Sequence, residues 1–164
     1  MVLVGGASGN SSSCGSHSSR FDYSPLVLYG DFSARNYYME VILDMIYTSY
    51  YANHRKYKGM YRIAISRIYP INSCDLCIIK LAPSHDLLRD YKANISSQED
   101  YTTRYIAQLD VLYNSGKLDL FVNKIKSIES DIVLLCYEKP SDFCHRHILA
   151  EYLNNKYFLS IKEL

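Results

Sequence analysis

Ile132-Val133-Leu134-Leu135-Cys136-Tyr137-Glu138-Lys139-Pro140-Ser141-Asp142-Phe143-Cys144-His145-Arg146-His147 changes character twice, and those two changes decide how the chain is read. Ile132 to Tyr137 is a continuous apolar run, the pattern of a strand buried on both faces in the middle of a parallel sheet. Glu138 to Phe143 is polar and contains Pro140, which reads as a tight loop. A helix is predicted from about Cys144 to Asn154. A buried strand, a short loop and a helix form the repeating unit of α/β folds.

The neighbouring segments repeat the alternation. Met45 to Tyr51 is dense in aromatic and β-branched residues and predicts a strand, and Tyr61 to Ile68 predicts a second, ended near Pro70. Ser84 is placed to cap a helix that turns Leu87, Leu88 and Tyr91 inward. Ser97 with Asp100 three residues on resembles a capping box, and the following helix aligns Tyr101, Tyr105, Leu109 and Leu112 on one face until Gly116 stops it. A further helix runs from Leu118 to Ile128. Tyr157 to Ile161 predicts a last strand, and Tyr37 to Leu43 a short early helix. The expected class is α/β: a single layered domain with a mainly parallel central sheet flanked by helices, Rossmann-like, over 25–164. Residues 1–24 hold a Gly/Ser-rich segment that reads as a linker or loose loop. Gly5, Gly6 and Gly9 miss the spacing of a dinucleotide fingerprint, and no P-loop lysine follows.

The chain has 164 residues, 48% hydrophobic and 21% charged, enough for one domain that buries roughly two thirds of its unfolded surface. That apolar fraction excludes intrinsic disorder, and no apolar run approaches the ~20 residues of a membrane span. With 18 Lys+Arg against 17 Asp+Glu, the formal charge of +1 argues against a broad DNA-binding surface. Residues 1–93 carry 10 Lys+Arg against 7 Asp+Glu, and residues 94–164 carry 8 against 10, so the asymmetry is mild. Ten of the 17 Tyr precede residue 70, among Arg55, Lys56, Lys58, Arg62 and Arg67. Most are expected to pack, although aromatics among basic residues also suit a base and its phosphate. Nucleic acid itself is the weaker expectation, and a nucleotide-sized anion the better one. Five Cys, an odd number, and a start without a secretory signal predict free thiols and a cytoplasmic location.

The strand–loop–helix carries the chemistry. Ligands of open α/β sheets bind outside the carboxyl ends of the strands, and a helix N-terminus favours anions and thiolates. Cys144 is therefore the candidate nucleophile or acid/base, His145 the proton carrier, and Glu138 the residue that orients it. Arg146 is the candidate anion clamp, with His147, Cys136, Tyr47 and Ser49 as further ligand contacts. Cys74-x-x-Cys77 has the spacing of half a zinc site, for which Cys136, Cys144, His145 and His147 are the available second half. Zinc is thus the one cofactor the spacing suggests. Two ordinary thiols on a strand-to-loop passage explain the same residues, and both readings stay open.

The run LLCYEKPSDFCHRHILAEYL resembles the signature of the domain-of-unknown-function family numbered 488. The segments YTSYYA (Tyr47–Ala52), IAISRIYP (Ile63–Pro70), LAPSHDLLRDYK (Leu81–Lys92) and YTTRY (Tyr101–Tyr105) are similar in the same order, so the resemblance covers about residues 46–155. It implies a compact intracellular α/β domain marked by Cys136, Glu138, Cys144, His145 and Arg146. It implies no particular reaction or substrate. The Gly/Ser-rich start and the Cys74-x-x-Cys77 pair fall outside the pattern. Three functions remain in view: an enzyme acting on a nucleotide or nucleic-acid-derived substrate, a non-catalytic module or adaptor binding a small anion or a protein, and a zinc-stabilised structural domain.

Overall fold

The apolar run Ile132–Cys136 forms the central strand of the sheet. The computed structural model describes residues 46–164. In chain order these form β1 (Ile46–Tyr50), β2 (Tyr61–Ala64), β3 (Leu76–Cys77), α1 (His85–Lys92), α2 (Gln98–Asn114), α3 (Lys117–Lys126), β4 (Ile132–Cys136), α4 (His145–Tyr157) and β5 (Lys162–Glu163). All strand pairings are parallel, in the order β3-β2-β4-β1-β5. The expected α/β class with a parallel sheet is the observed one. β4 lies between β2 and β1, and each of its five residues is buried. A strand hydrogen-bonded on both sides and covered on both faces has no position for a polar side chain, which is why it reads as unbroken apolar sequence.

Alternate residues of the sheet divide between two clusters. Ile132 and Leu134 pack with Ile46, Ile63 and buried residues of all four helices, among them Leu87, Leu109, Phe121 and Leu149. Val133 and Leu135 pack on the opposite face with Tyr57, Tyr47, Tyr51 and Met60. Local chemistry sets the helix starts: the Ser84 hydroxyl accepts from the Leu87 N–H at 3.2 Å, and the Ser97 hydroxyl from the Asp100 N–H at 3.1 Å. Each satisfies one backbone donor that the first helical turn leaves unpaired. Gly116, at φ +69°, takes the left-handed conformation between α2 and α3.

Two strands depart furthest from the sequence reading. β2 stops at Ala64 rather than reaching Ile68, because Ser66 turns the chain: its hydroxyl donates to the Ile68 carbonyl and meets the Tyr51 hydroxyl at 2.7 Å. The last strand is Lys162–Glu163, not Tyr157–Ile161. α4 runs through Tyr157, Phe158 ends it in a left-handed conformation, and the Asn154 side chain then occupies both the N–H and the carbonyl of Ile161. Among the described residues no helix is long and apolar enough to cross a membrane. The Gly/Ser-rich segment, Cys14 and the expected helix at Tyr37–Leu43 lie outside the described residues.

Candidate functional site

β4 ends at Cys136, opposite Tyr50 of β1, so its thiol sits at the carboxyl edge of the sheet. The polar loop then places Glu138 two residues on and returns at Cys144, the N-cap of α4, whose backbone is extended. His145 begins the helix. Cys136, Cys144 and His145 are all buried. The Cys136 sulfur lies 2.9 Å from Glu138 Oε2, and the Cys144 sulfur lies 3.2 Å from the same oxygen. His145 Nδ1 is 3.6 Å from Cys136 Sγ and 3.8 Å from Cys144 Sγ. Its Nε2 donates to the Ile65 carbonyl at 2.9 Å. A carbonyl only accepts, so Nε2 carries a proton, and in the neutral ring Nδ1 presents its lone pair to the two sulfurs.

These groups perturb one another. Hydrogen bonding to Cys136, against burial and with help from His145, draws the Cys144 thiol down to about 5. The same contact, followed by burial, pushes the Cys136 thiol up. Burial works against ionisation of Glu138, but the two sulfur contacts outweigh it and hold the carboxyl below its ordinary value. Cys144 is the more acidic sulfur, as its place at a helix N-terminus favours.

The cluster lines part of a cavity of about 260 Å³. Segments distant in sequence complete it: Ser66 and Arg67 after β2, Tyr91 and Lys92 at the end of α1, Tyr101 on α2, and Phe143 before α4. Tyr91, Tyr101 and Phe143 touch pairwise, with ring centroids 5.0–5.3 Å apart. Tyr105 stands edge-on to the His145 ring at 5.7 Å, and its hydroxyl donates to the Leu81 carbonyl.

The structure thus brings Cys136, Glu138, Cys144 and His145 together and places the other sequence candidates elsewhere. Arg146 is fully buried and does not line the cavity. Its Nη2 meets Glu163 Oε1 at 3.0 Å, its Nε also faces that carboxylate, and its Nη1 donates to the Glu138 carbonyl at 2.6 Å. The guanidinium that sequence reading assigned to an anionic ligand holds β5 and the site loop instead. Burial opposes its charge, but Glu163 keeps it firmly protonated. His147 Nε2 lies 3.6 Å from Glu163. Tyr47 packs on the opposite sheet face, and Ser49 is buried, accepting from Asn53. Cys74 and Cys77 flank and end β3, both half-buried. Burial, then Cys77, raises the Cys74 thiol.

Sequence reading missed Glu163 and the cavity wall. Tyr91 and Tyr101 were legible as inward-facing helix residues, but nothing local showed that they face a cavity. A family model described as the active DUF488-N3 subclade matches residues 46–157. No curated protein and no solved structure matches the chain.

Proposed function

The chain belongs to the DUF488 family, and from that premise we propose that it binds and processes a nucleotide or nucleic-acid-derived anion in the cavity at the carboxyl edge of its sheet. The carrying observation is the make-up of that cavity. Three mutually touching rings supply a surface for a planar base, Arg67 and Lys92 supply positive charge for a phosphate, and Cys136, Glu138, Cys144 and His145 line the same cavity. A cavity of about 260 Å³ suits one base and its sugar better than a dinucleotide. The near-zero net charge agrees with a small anion over a long polyanion. The description of the matched subclade as active supports chemistry at the site over binding alone. Free thiols at its centre suit a reducing compartment, and we place the protein in the cytoplasm.

A thermal-shift series with mononucleotides, cyclic nucleotides, nucleosides and inorganic phosphate tests this reading. At a ligand excess of about a hundred Kd the expected stabilisation is about 2.7 kcal/mol, or roughly 5–10 °C in Tm. Arg67→Ala with Lys92→Ala is expected to abolish the advantage of phosphorylated ligands over nucleosides. No shift with any nucleotide overturns the proposal.

A further inference from the structure

We propose that Cys136, Cys144 and His145 bind a zinc-class divalent cation, with Glu138 as a fourth, displaceable ligand on the cavity side. The sulfur, nitrogen and oxygen atoms of these four residues all lie within 4.8 Å of one another, and among the described residues no other group of three or more His, Cys, Asp or Glu converges in this way. Two thiolates, an imidazole and a carboxylate are donors that zinc takes, in tetrahedral arrangement. With Zn–S near 2.3 Å and Zn–N near 2.0–2.1 Å, the S···N edge of such a tetrahedron is about 3.6 Å. The observed S···N separations are 3.6 and 3.8 Å. The S···O separations of 2.9 and 3.2 Å are shorter than the corresponding edge of about 3.6 Å, so Glu138 moves outward to bind. Its residue is exposed and free to do so, whereas the other three are buried.

The surroundings support the assignment. Metal-ligating histidines donate their second ring nitrogen to a carbonyl or carboxylate, which fixes the ring and the tautomer. His145 does this through Nε2 to Ile65, and Tyr105 packs against the ring. Arg146 Nη1 donates to the Glu138 carbonyl and fixes the backbone that carries the fourth ligand. The zinc expectation that sequence spacing attached to Cys74 and Cys77 thus moves to the loop between β4 and α4, since neither residue belongs to the converging group. This site stands without any assumption about the nucleotide, because the metal is measured with no other ligand present.

The test uses the full chain, purified without chelator and dialysed against Zn²⁺. About one equivalent is expected, retained in Cys74→Ser/Cys77→Ser, and bound more than about a hundredfold more weakly in Cys136→Ser and in Cys144→Ser. Glu138→Gln is expected to keep the stoichiometry with affinity within about tenfold. Uptake below about 0.1 equivalent, unchanged affinity in both Cys136→Ser and Cys144→Ser, or loss in the Cys74/Cys77 double variant overturns the proposal. Because Cys136 is buried and its variant can unfold, cobalt loading of the unsubstituted chain decides independently. A thiolate-to-cobalt charge-transfer band with intense tetrahedral visible bands is expected. Weak octahedral bands without charge transfer refute the site.

Discussion

His145 and Arg146 are adjacent in sequence and serve different parts of the molecule. The imidazole joins the two sulfurs at the cavity, while the guanidinium is consumed by Glu163 and the Glu138 carbonyl. Cys136, Glu138, Cys144 and His145 were legible as a group because one strand–loop–helix supplies them all within ten residues. The role of Arg146 was not, because its partner sits 17 residues later on an edge strand that no local pattern identifies. Tyr105 shows the same limit, since helical periodicity predicts its burial but not its hydroxyl bond to Leu81, 24 residues away. Burial keeps that phenol protonated well beyond neutral pH, so it remains a donor. Tyr105→Phe preserves the ring against His145 and removes only the donor to a buried carbonyl. The expected loss is about 1–3 kcal/mol of unfolding free energy by urea titration. A change indistinguishable from zero would mean that the Leu81 carbonyl finds another donor.

At the level of elements, legibility followed the range of the forces involved. The caps at Ser84 and Ser97 act over three residues and were readable directly. The ends of β2 and β5 depend on Ser66 and Asn154 side chains meeting backbone groups only in the folded chain, and the predicted ends were wrong there. The packing of α1 on α2 has a similar long-range lock, in which Asp90 accepts from Arg104 at 3.0 Å and from Arg89 at 3.2 Å. The Arg104 hydrogen bond, more than offsetting desolvation, holds the Asp90 carboxyl below its ordinary value of 3.8. A carboxyl with a depressed folded value contributes its stability above that ordinary value and loses it as pH falls through the lower folded one. The Tm gap between the unsubstituted chain and Asp90→Asn is therefore expected to be positive near neutrality and to close in acid. Salt should narrow it, since the pair is solvent-accessible. A gap that persists unchanged well below 3.8 would assign the effect to packing rather than charge.

Across the whole molecule, the buried Arg146 couples the sheet edge to the site. β5 is only two residues long and pairs with β1 through Tyr47↔Lys162 and Thr48↔Glu163. So short an edge strand has little ladder of its own, and Glu163 supplements it by accepting from Thr48 and Arg146. Arg146 in turn holds the Glu138 carbonyl, so one chain of bonds runs from the outermost strand, past β1 and β4, to the loop that presents Glu138. Removing either charge strands the other: Arg146 is fully buried, and the Glu163 side chain is only 26% exposed. Arg146→Ala is expected to cost about 3–5 kcal/mol, because it empties a fully buried position and takes the guanidinium from both Glu163 and the Glu138 carbonyl. Glu163→Ala should cost a comparable amount, because it leaves the fully buried guanidinium without its carboxylate. The double variant should cost less than the sum, since the second deletion removes the stranded charge created by the first, with a coupling of about 0.5–3 kcal/mol. Urea unfolding of the four chains measures this cycle. Strict additivity would mean that the ion pair does not link β5 to the Glu138 loop, and the short strand would then have to be held by its two register pairs and the Leu164 N–H bond to Thr48.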